Sequence, residues 1–582
     1  MVKAQGAYIQ QSQEPADSKY MRDEIEKSVP DQWRCIETVT QQVASKPLKA
    51  HYVDQDLKSI LERWKLTLPA ETQEGIDQYM HSSQVEDMGL KTEAVTSYFK
   101  YDRGDDDSMT DYQIVENLIM MMAVLDLPDM DDVPKLTPES LMKVPATKSS
   151  SGLVPVDPED GARKGNKEEM KTGSVLSFDH TGLLPCMCAF KPEVIKKGKK
   201  VRSICLESEV TYLKSKKLFG KIVAVHTPVP VGATAGLSRV DGGYIKVLMN
   251  MFADHKRYHP ESKWEDFLNT LEKEGLSEDD KKSWEFTLKP WSAIVSILLL
   301  LSITPDTTAN LEHYVQIFSH LLAPVIKYAG DDCFMALGKT ASGWYWTLLI
   351  NIWRHIMGKQ AVSAHVQDHG MRSKDPNCGC SVCKLDIPEV AITEEQLACM
   401  VGGSVLGDDQ LRRNVFPELN AAILDEKLGT ITKPPNTEKA FGRPGEESVE
   451  FLRVRFRRTG NLITTYRDRI RVFAKIFHGD CLEHPSRLHG ALLSAAMELG
   501  HDEEGNQMLQ ELYDMCKEEF KNPGHEDLLR DELEKLAVRG EGIHVGDCNR
   551  PMSVEQVLAS QFGMQKAYNI TFKQWHACKN NC

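Results

Sequence analysis

The stretch Gly403-Ser404-Val405-Leu406-Gly407-Asp408-Asp409-Gln410-Leu411 constrains this chain more than any other. Two short apolar-leaning runs flank adjacent carboxylates, and Gly407 just before them permits positive φ at a tight turn. The pattern predicts a β-hairpin that presents Asp408 and Asp409 at its tip. Paired acids on a rigid turn suit divalent cations, which take hard oxygen ligands. The same Gly-Asp-Asp triplet recurs at 104–106, inside an acidic run, and at 330–332. A solvated turn accounts for either of those copies, so the neighbours of the copy at 407–409 decide its meaning.

Upstream lies Ala341-Ser342-Gly343-Trp344-Tyr345-Trp346-Thr347-Leu348-Leu349-Ile350-Asn351. In a helix starting soon after Gly343, Thr347 and Asn351 stand four apart and share a face. The rest of the segment is apolar, and buried polar groups need partners. The stripe is therefore either part of a capped core helix or one wall of a site.

The chain has 582 residues, long enough to bury an extensive core, with 41% hydrophobic and 27% charged residues. A net charge of −15 argues against a surface that coats nucleic acid throughout. It leaves room for a basic tunnel, because local charge decides phosphate contacts. The relevant clusters are Lys/Arg runs at 196–202, 214–221 and 453–471. Of these, Lys196, Lys197, Lys199, Lys200 and Arg202 are spaced as on a strand-turn-strand arm. Fourteen scattered cysteines without a signal peptide point to a reduced setting rather than a disulfide framework. The longest apolar run, Ala293 to Ile303, is about eleven residues against the roughly twenty that span a bilayer. Helical stretches are expected at 53–65 and 112–125, loop or linker at 145–175, and helices with 3.6-residue periodicity beyond 488.

Between the polar stripe and the acid pair sit His365, His369, Cys378, Cys380 and Cys383. His-x3-His places two imidazoles on one helix face, and four of these five residues could complete a tetrahedral zinc site. Reduced surface cysteines beside unrelated histidines are the plainer reading.

Ser342-Gly343, Thr347 and Asn351, followed by Gly407-Asp408-Asp409, resemble motifs B and C of viral RNA-dependent RNA polymerases of the picornavirus-like group. Further motifs resemble that family in the same order. Lys148 to Pro155 resembles the template-channel loop, with Ser151 and Gly152 at its centre, and Lys196 to Ile204 resembles the basic fingers motif. Leu428 to Thr432 with Lys439 resembles motif D, and Phe451 to Phe456 resembles motif E. The resemblance spans roughly residues 145 to 500. Motif A departs from the pattern. Its best match, Trp284 to Ser296, carries Thr287 and Ser292 where the family has two aspartates. Glu285 and Asp179 are the carboxylates that could substitute.

The resemblance implies an α+β right-hand architecture of fingers, palm and thumb with an antiparallel palm sheet. Residues 1–145 would form an N-terminal extension and fingers, and 146–280 the fingers with the template loop and basic arm. The palm would occupy 281–450, with a Cys/His insertion at 360–390, and motif E with a helical thumb 451–582. The implied activity is template-directed RNA synthesis with Mg2+ or Mn2+ at Asp408 and Asp409. Lys439, with Lys433 as alternative, would be the general acid for the leaving pyrophosphate. Lys197, Lys200 and Arg202 would clamp the triphosphate, while Ser342, Gly343, Thr347 and Asn351 would meet the nucleotide. Ser151, Gly152, Arg453 and Arg455 would contact RNA. Template and product RNA and nucleoside triphosphates are the implied partners, with a protein primer or other viral replication proteins beside them. The implied location is host cytoplasm or virus particle, without secretion. The neutral residues at 287 and 292 suggest an alternative, a catalytically impaired RNA-binding protein on a polymerase fold.

Overall fold

The structure, a computed structural model, describes residues 52–100, 111–125, 150–157, 161–166, 186–207, 245–279, 284–302, 311–329, 346–433, 439–521 and 550–562, with shorter pieces between them. Helices and mostly antiparallel sheets are interleaved along it, an α+β arrangement.

The elements used below are strands β1 (Tyr79–His81), β2 (Cys186–Phe190), β3 (Val194–Lys196), β4 (Ser203–Leu206), β5 (Leu276–Glu278), β6 (Val325–Ala329), β7 (Asp332–Met335), β8 (Ser404–Leu406), β9 (Asp409–Arg413), β10 (Glu450–Phe451), β11 (Val454–Thr459) and β12 (Leu462–Tyr466). The helices are α1 (Trp284–Thr287), α2 (Thr347–Asp368), α3 (Glu394–Val401), α4 (Pro417–Leu428) and α5 (Arg469–His478). One sheet runs β7-β6-β2-β4, in which β6 and β2 are parallel. A second runs β8-β9-β5 and a third β10-β11-β12.

Helix α2 is the axis of the large core. Leu349, Ile350, Ile352, Trp353, Ile356, Met357, Val362 and Val366 are buried around most of its circumference, as expected of a helix enclosed by protein. Fully burying one such side chain contributes about 1.5–3 kcal/mol. At Gly358 a Cβ would stand 2.7 Å from Leu424 and 2.8 Å from Leu428, so α4 packs directly on the α2 backbone. Helix α4 starts with Pro417 at its first turn and ends at Gly429, whose φ of 77° is the left-handed cap that favours glycine.

The expected 112–125 helix is present as Asp111–Leu125, but only part of its apolar stripe is covered. Met121 is buried, whereas Val115 and Met122 are exposed. The stretch expected as loop or linker after 145 instead contains an antiparallel hairpin, Ser150–Asp157 with Gly161–Asn166.

The described residues before 145 divide among three clusters, the smallest of which joins Val85 and Ala94 to Ile195 and Val201. Val95, Tyr98 and Met121 join the large core, while Leu57, Ile60, Leu61, Trp64 and Ile76 pack with Phe473, Leu488, Leu492 and Leu509. There Trp64 Nε1 donates to the Met508 carbonyl at 3.0 Å. Strand β1 then pairs with β3, Tyr79 opposite Lys196. Residues 53–81 thus form a strap from the C-terminal helices to the basic arm. Among the described residues no helix is long and apolar enough to cross a membrane.

Candidate active site and Cys/His loop

Strands β8 and β9 pair antiparallel with Leu406 opposite Asp409, so Gly407 and Asp408 form a two-residue turn. Gly407 has φ of 63°, the geometry for which a glycine precedes the acids. Asp408 is exposed at the tip and Asp409 partly exposed as the first residue of β9. The copy at 330–332 also lies at a strand boundary, with Asp332 opening β7, and its first two residues lie outside those described.

Thr347, Asn351 and His355 follow one another at four-residue intervals along α2 and share a face. Thr347 Oγ1 accepts from the Trp344 amide at 3.1 Å, stabilising the first turn. Asn351 is buried, and its Oδ1 accepts from Trp284 Nε1 at 3.1 Å. Trp284 in turn stacks on His355, with ring centroids 4.5 Å apart and planes 11° from parallel. Burial, with Lys281 and Lys359 adding to it, pushes His355 down to about 3, while the Asp408 backbone acts in the opposite direction. The stripe on α2 therefore ends beside the acid turn, with a neutral imidazole between them. His355 was missed in the sequence although its spacing from Asn351 was available.

The motif A segment is not an acid-bearing strand. Residues 284–287 form the short helix α1. Thr287 is 2% exposed and Ser292 is fully buried. Ser292 Oγ donates to the Lys289 carbonyl at 2.9 Å, and Thr287 Oγ1 lies 3.5 Å from the Trp284 carbonyl oxygen. Both hydroxyls turn to their own backbone. Glu285, named above as a possible substitute, therefore lies on a helix rather than on a strand beside Thr287. The segment is held by α4: Lys289 N donates to Leu428 O at 3.0 Å, and Trp291 Nε1 to Lys427 O at 3.1 Å.

The strand beside the hairpin is instead β5, with Leu411 opposite Glu278. Asp279 follows it, and its buried carboxylate takes a two-pronged ion pair from Arg412, at 2.9 and 3.1 Å. Burial opposes ionisation of Asp279, but Arg412 and then Lys281 outweigh it and hold the carboxyl below its ordinary value. Both oxygens are committed to Arg412, so Asp279 supports the hairpin and does not complete its acid set. Its only advance signal was the Glu278-Asp279-Asp280 run.

The basic arm folds as expected, with β3 and β4 flanking a turn in which Gly198 has φ of 77°. Lys197 is exposed. Lys200 Nζ donates to Ser97 Oγ at 2.8 Å and lies 6.0 Å from the Phe286 ring, which brings the arm against α1. At Gly343 a Cβ would stand 2.7 Å from the Cys205 carbonyl, so the start of the α2 segment abuts β4 just beyond Arg202. The arm and the α2 stripe thus both meet α1, and the stripe adjoins the Asp408 turn at His355.

At the β10–β11 turn, Leu452 and Arg453 have φ of 55° and 64°, an uncommon pair for residues with side chains. The surrounding protein and then Arg471 lower the proton affinity of Arg453, with Arg202 and Arg467 adding and Glu193 opposing. Of these neighbours, Arg202, Arg467 and Arg471 are themselves ion-paired, with Glu193, Glu498 and Glu450. Arg455 is engaged within the protein, donating to the Glu446 carbonyl at 2.8 Å. Lys439 and Lys433 are exposed, and the Lys439 carbonyl accepts from Val449 N at 2.9 Å. Ser342 and Asp179 lie outside the described residues, and Ser151 and Gly152 are described as backbone only, in the 150–157 strand.

In the Cys/His loop, ligand atoms of His369, Cys378, Cys380 and Cys383 all lie within 4.8 Å of one another. His365 is outside that set. It is buried, its ring stacks on His369 at 4.1 Å, and burial followed by His369 pushes it down to about 4. A further set, His255, His259 and Glu395, is compact as well, but Arg413 Nη1 already stands 3.4 Å from Glu395 Oε1.

Among the solved structures to which this chain is similar is one titled Sicinivirus 3Dpol RNA dependent RNA polymerase. It aligns at 14% identity and a TM-score of 0.49, covering 87% of this chain and 99% of that one. No family model matches the sequence, and no curated protein does.

Proposed function

We propose that the protein carries out template-directed RNA synthesis, transferring nucleotides from triphosphates to an RNA 3′-hydroxyl. The observation that carries this reading is that the Thr347–Asn351–His355 face and the Lys197–Arg202 arm both pack on α1, while the same face adjoins the Asp408 turn at His355. Asp408 and Asp409 are hard-oxygen donors on a rigid tip and fit Mg2+ or Mn2+. When bound, such ions lower the barrier to attack by the hydroxyl and offset charge on the phosphate. Arg202, Lys197 and Lys200 bind the triphosphate, Arg with a planar fork and the lysines as mobile point charges. Lys439 is assigned the proton for pyrophosphate, and Arg453 a contact with the RNA backbone. Template and product RNA are the partners, and the setting is host cytoplasm or virus particle.

A second reading has a specific observation in its favour. Thr287 and Ser292 are neutral, buried and bonded to the nearby backbone, so neither supplies the hairpin acids with a carboxylate. This favours an RNA-binding protein with impaired catalysis. Primer extension on an RNA template with Mg2+ or Mn2+ separates the two. Incorporation that disappears in Asp408→Ala supports the enzyme; RNA binding without incorporation supports the second reading.

A further inference from the structure

The loop that joins α2 to α3 closes on itself before it reaches its cysteines. Gly370 and Met371 both have positive φ, 63° and 59°, and turn the chain sharply off the end of α2. Ile392 N donates to Met371 O at 2.8 Å and Ser373 N to Val390 O at 3.0 Å, which makes a two-stranded neck. Beyond the neck, each of three sulfurs accepts a backbone amide. Cys380 N donates to Cys378 Sγ, Cys383 N to Cys380 Sγ and Asp375 N to Cys383 Sγ, each at 3.4 Å. Amide donors aimed at sulfur favour thiolate, the form that binds metal.

His369 completes the arrangement. Its Nδ1 donates to the His365 carbonyl, which fixes the tautomer and leaves Nε2 as the available donor atom. Around tetrahedral zinc with bonds of about 2.3 Å, sulfurs stand about 3.8 Å apart. Four donor atoms within 4.8 Å of one another need only a small contraction to reach that geometry.

We propose that His369, Cys378, Cys380 and Cys383 bind one Zn2+ in a closed structural site, and that this site clamps the crossover between α2 and the acid hairpin to α4. A soft three-thiolate, one-imidazole set selects zinc over the hard cations that suit Asp408. With four protein ligands there is no open position, so the role is structural. The mechanical link is Glu426 on α4, whose Oε2 accepts from Val382 N at 3.0 Å and from Ser381 Oγ, between the second and third cysteines. Val382 itself is buried in the large core. The same turn of α4 holds Lys289 and Trp291 through the Glu426 and Lys427 carbonyls, so the metal loop and the segment after α1 share one helix as anchor. The proposal does not depend on the polymerase reading.

The test is metal analysis of the full chain, purified without chelator and without added zinc in the final steps. About one zinc per chain is expected. Cys378→Ser combined with Cys383→Ser, or His369→Ala, should abolish retention, while His365→Ala keeps it. Co2+ in place of zinc should give the intense bands of a tetrahedral, thiolate-rich site, a readout on the unaltered chain that survives if a variant misfolds. Chelation should lower Tm, with recovery on adding Zn2+ but not Mg2+, and should raise amide exchange at 371–392 and along α4. The proposal is overturned if the chain, incubated with Zn2+ and then desalted, holds none. It is equally overturned if the cobalt bands are octahedral, if the cysteines are found in a disulfide, or if His365→Ala loses the metal while His369→Ala retains it.

Discussion

The two regions for which we propose cation sites are built in opposite ways. The Cys/His loop gathers four donors from fifteen consecutive residues and supplies its own amide donors to the sulfurs. The acid turn gathers two carboxylates locally, and its other surroundings come from far away in sequence: Trp284, the α2 face, and Asp279 paired with the hairpin's own Arg412. A local donor set is specified by turn chemistry; a distributed one depends on every strand register and helix packing that brings its parts together. The acid site should therefore be the more sensitive of the two to changes in distant packing.

The largest effect that would sharpen this contrast is at Arg412. Arg412→Leu leaves Asp279 ionised and buried without a partner, at a cost of about 3–5 kcal/mol in urea unfolding. Arg412→Leu with Asp279→Leu should recover much of that loss. Equal loss in the single and double variants would show that the ion pair is not what supports β9. Next is Asp408→Ala, expected to reduce incorporation about 10²–10³-fold, the scale for losing one preorganised electrostatic group. Zinc content should be unaffected, and full incorporation in this variant would break the assignment of the acid turn as the centre.

Gly429→Ala probes the shared anchor helix. A side chain there must adopt φ near 77° and meet the Thr287 carbonyl at 2.8 Å, so a loss of about 1–3 kcal/mol is expected. A neutral result in thermal melts would mean that α1 and α4 are not in close register. The smallest effect concerns pH. Burial pushes His320 down to about 4, with Cys186 Sγ at 3.2 Å and Glu207 at 3.9 Å facing it. The unfolded chain binds a proton on this residue near pH 6.5 and the folded one does not until about 4. Its contribution is thus intact above pH 6.5 and is lost as pH falls from there towards 4. Tm should decline across that window, and His320→Gln should flatten part of the decline.

The parts legible in the sequence are those whose geometry is written in neighbouring residues. Gly407 before two acids specifies the hairpin tip, Gly198 among lysines specifies the arm, and the apolar run after Trp346 specifies α2. The choice of His369 over His365 was not legible, because both stand at helical spacing. It is decided by where α2 stops, at the left-handed pair Gly370–Met371. Nor was the Trp284–Thr287 helix, whose Trp284 bonds Asn351 and which is followed directly by Lys289 and Trp291 bonded to Leu428 and Lys427, all distant in sequence. The Asp279–Arg412 pair is hidden for the same reason: it exists only once β5 and β9 have paired.

The strap formed by residues 53–81 has a mechanical consequence. One end is sunk among the C-terminal helices through Trp64, and the other is stitched to the strand that leads into the lysine turn. Loosening of those distant helices would therefore reach Lys196 and the Gly198 turn directly, whereas the Asp408 turn is fastened to a different sheet and lies off that path.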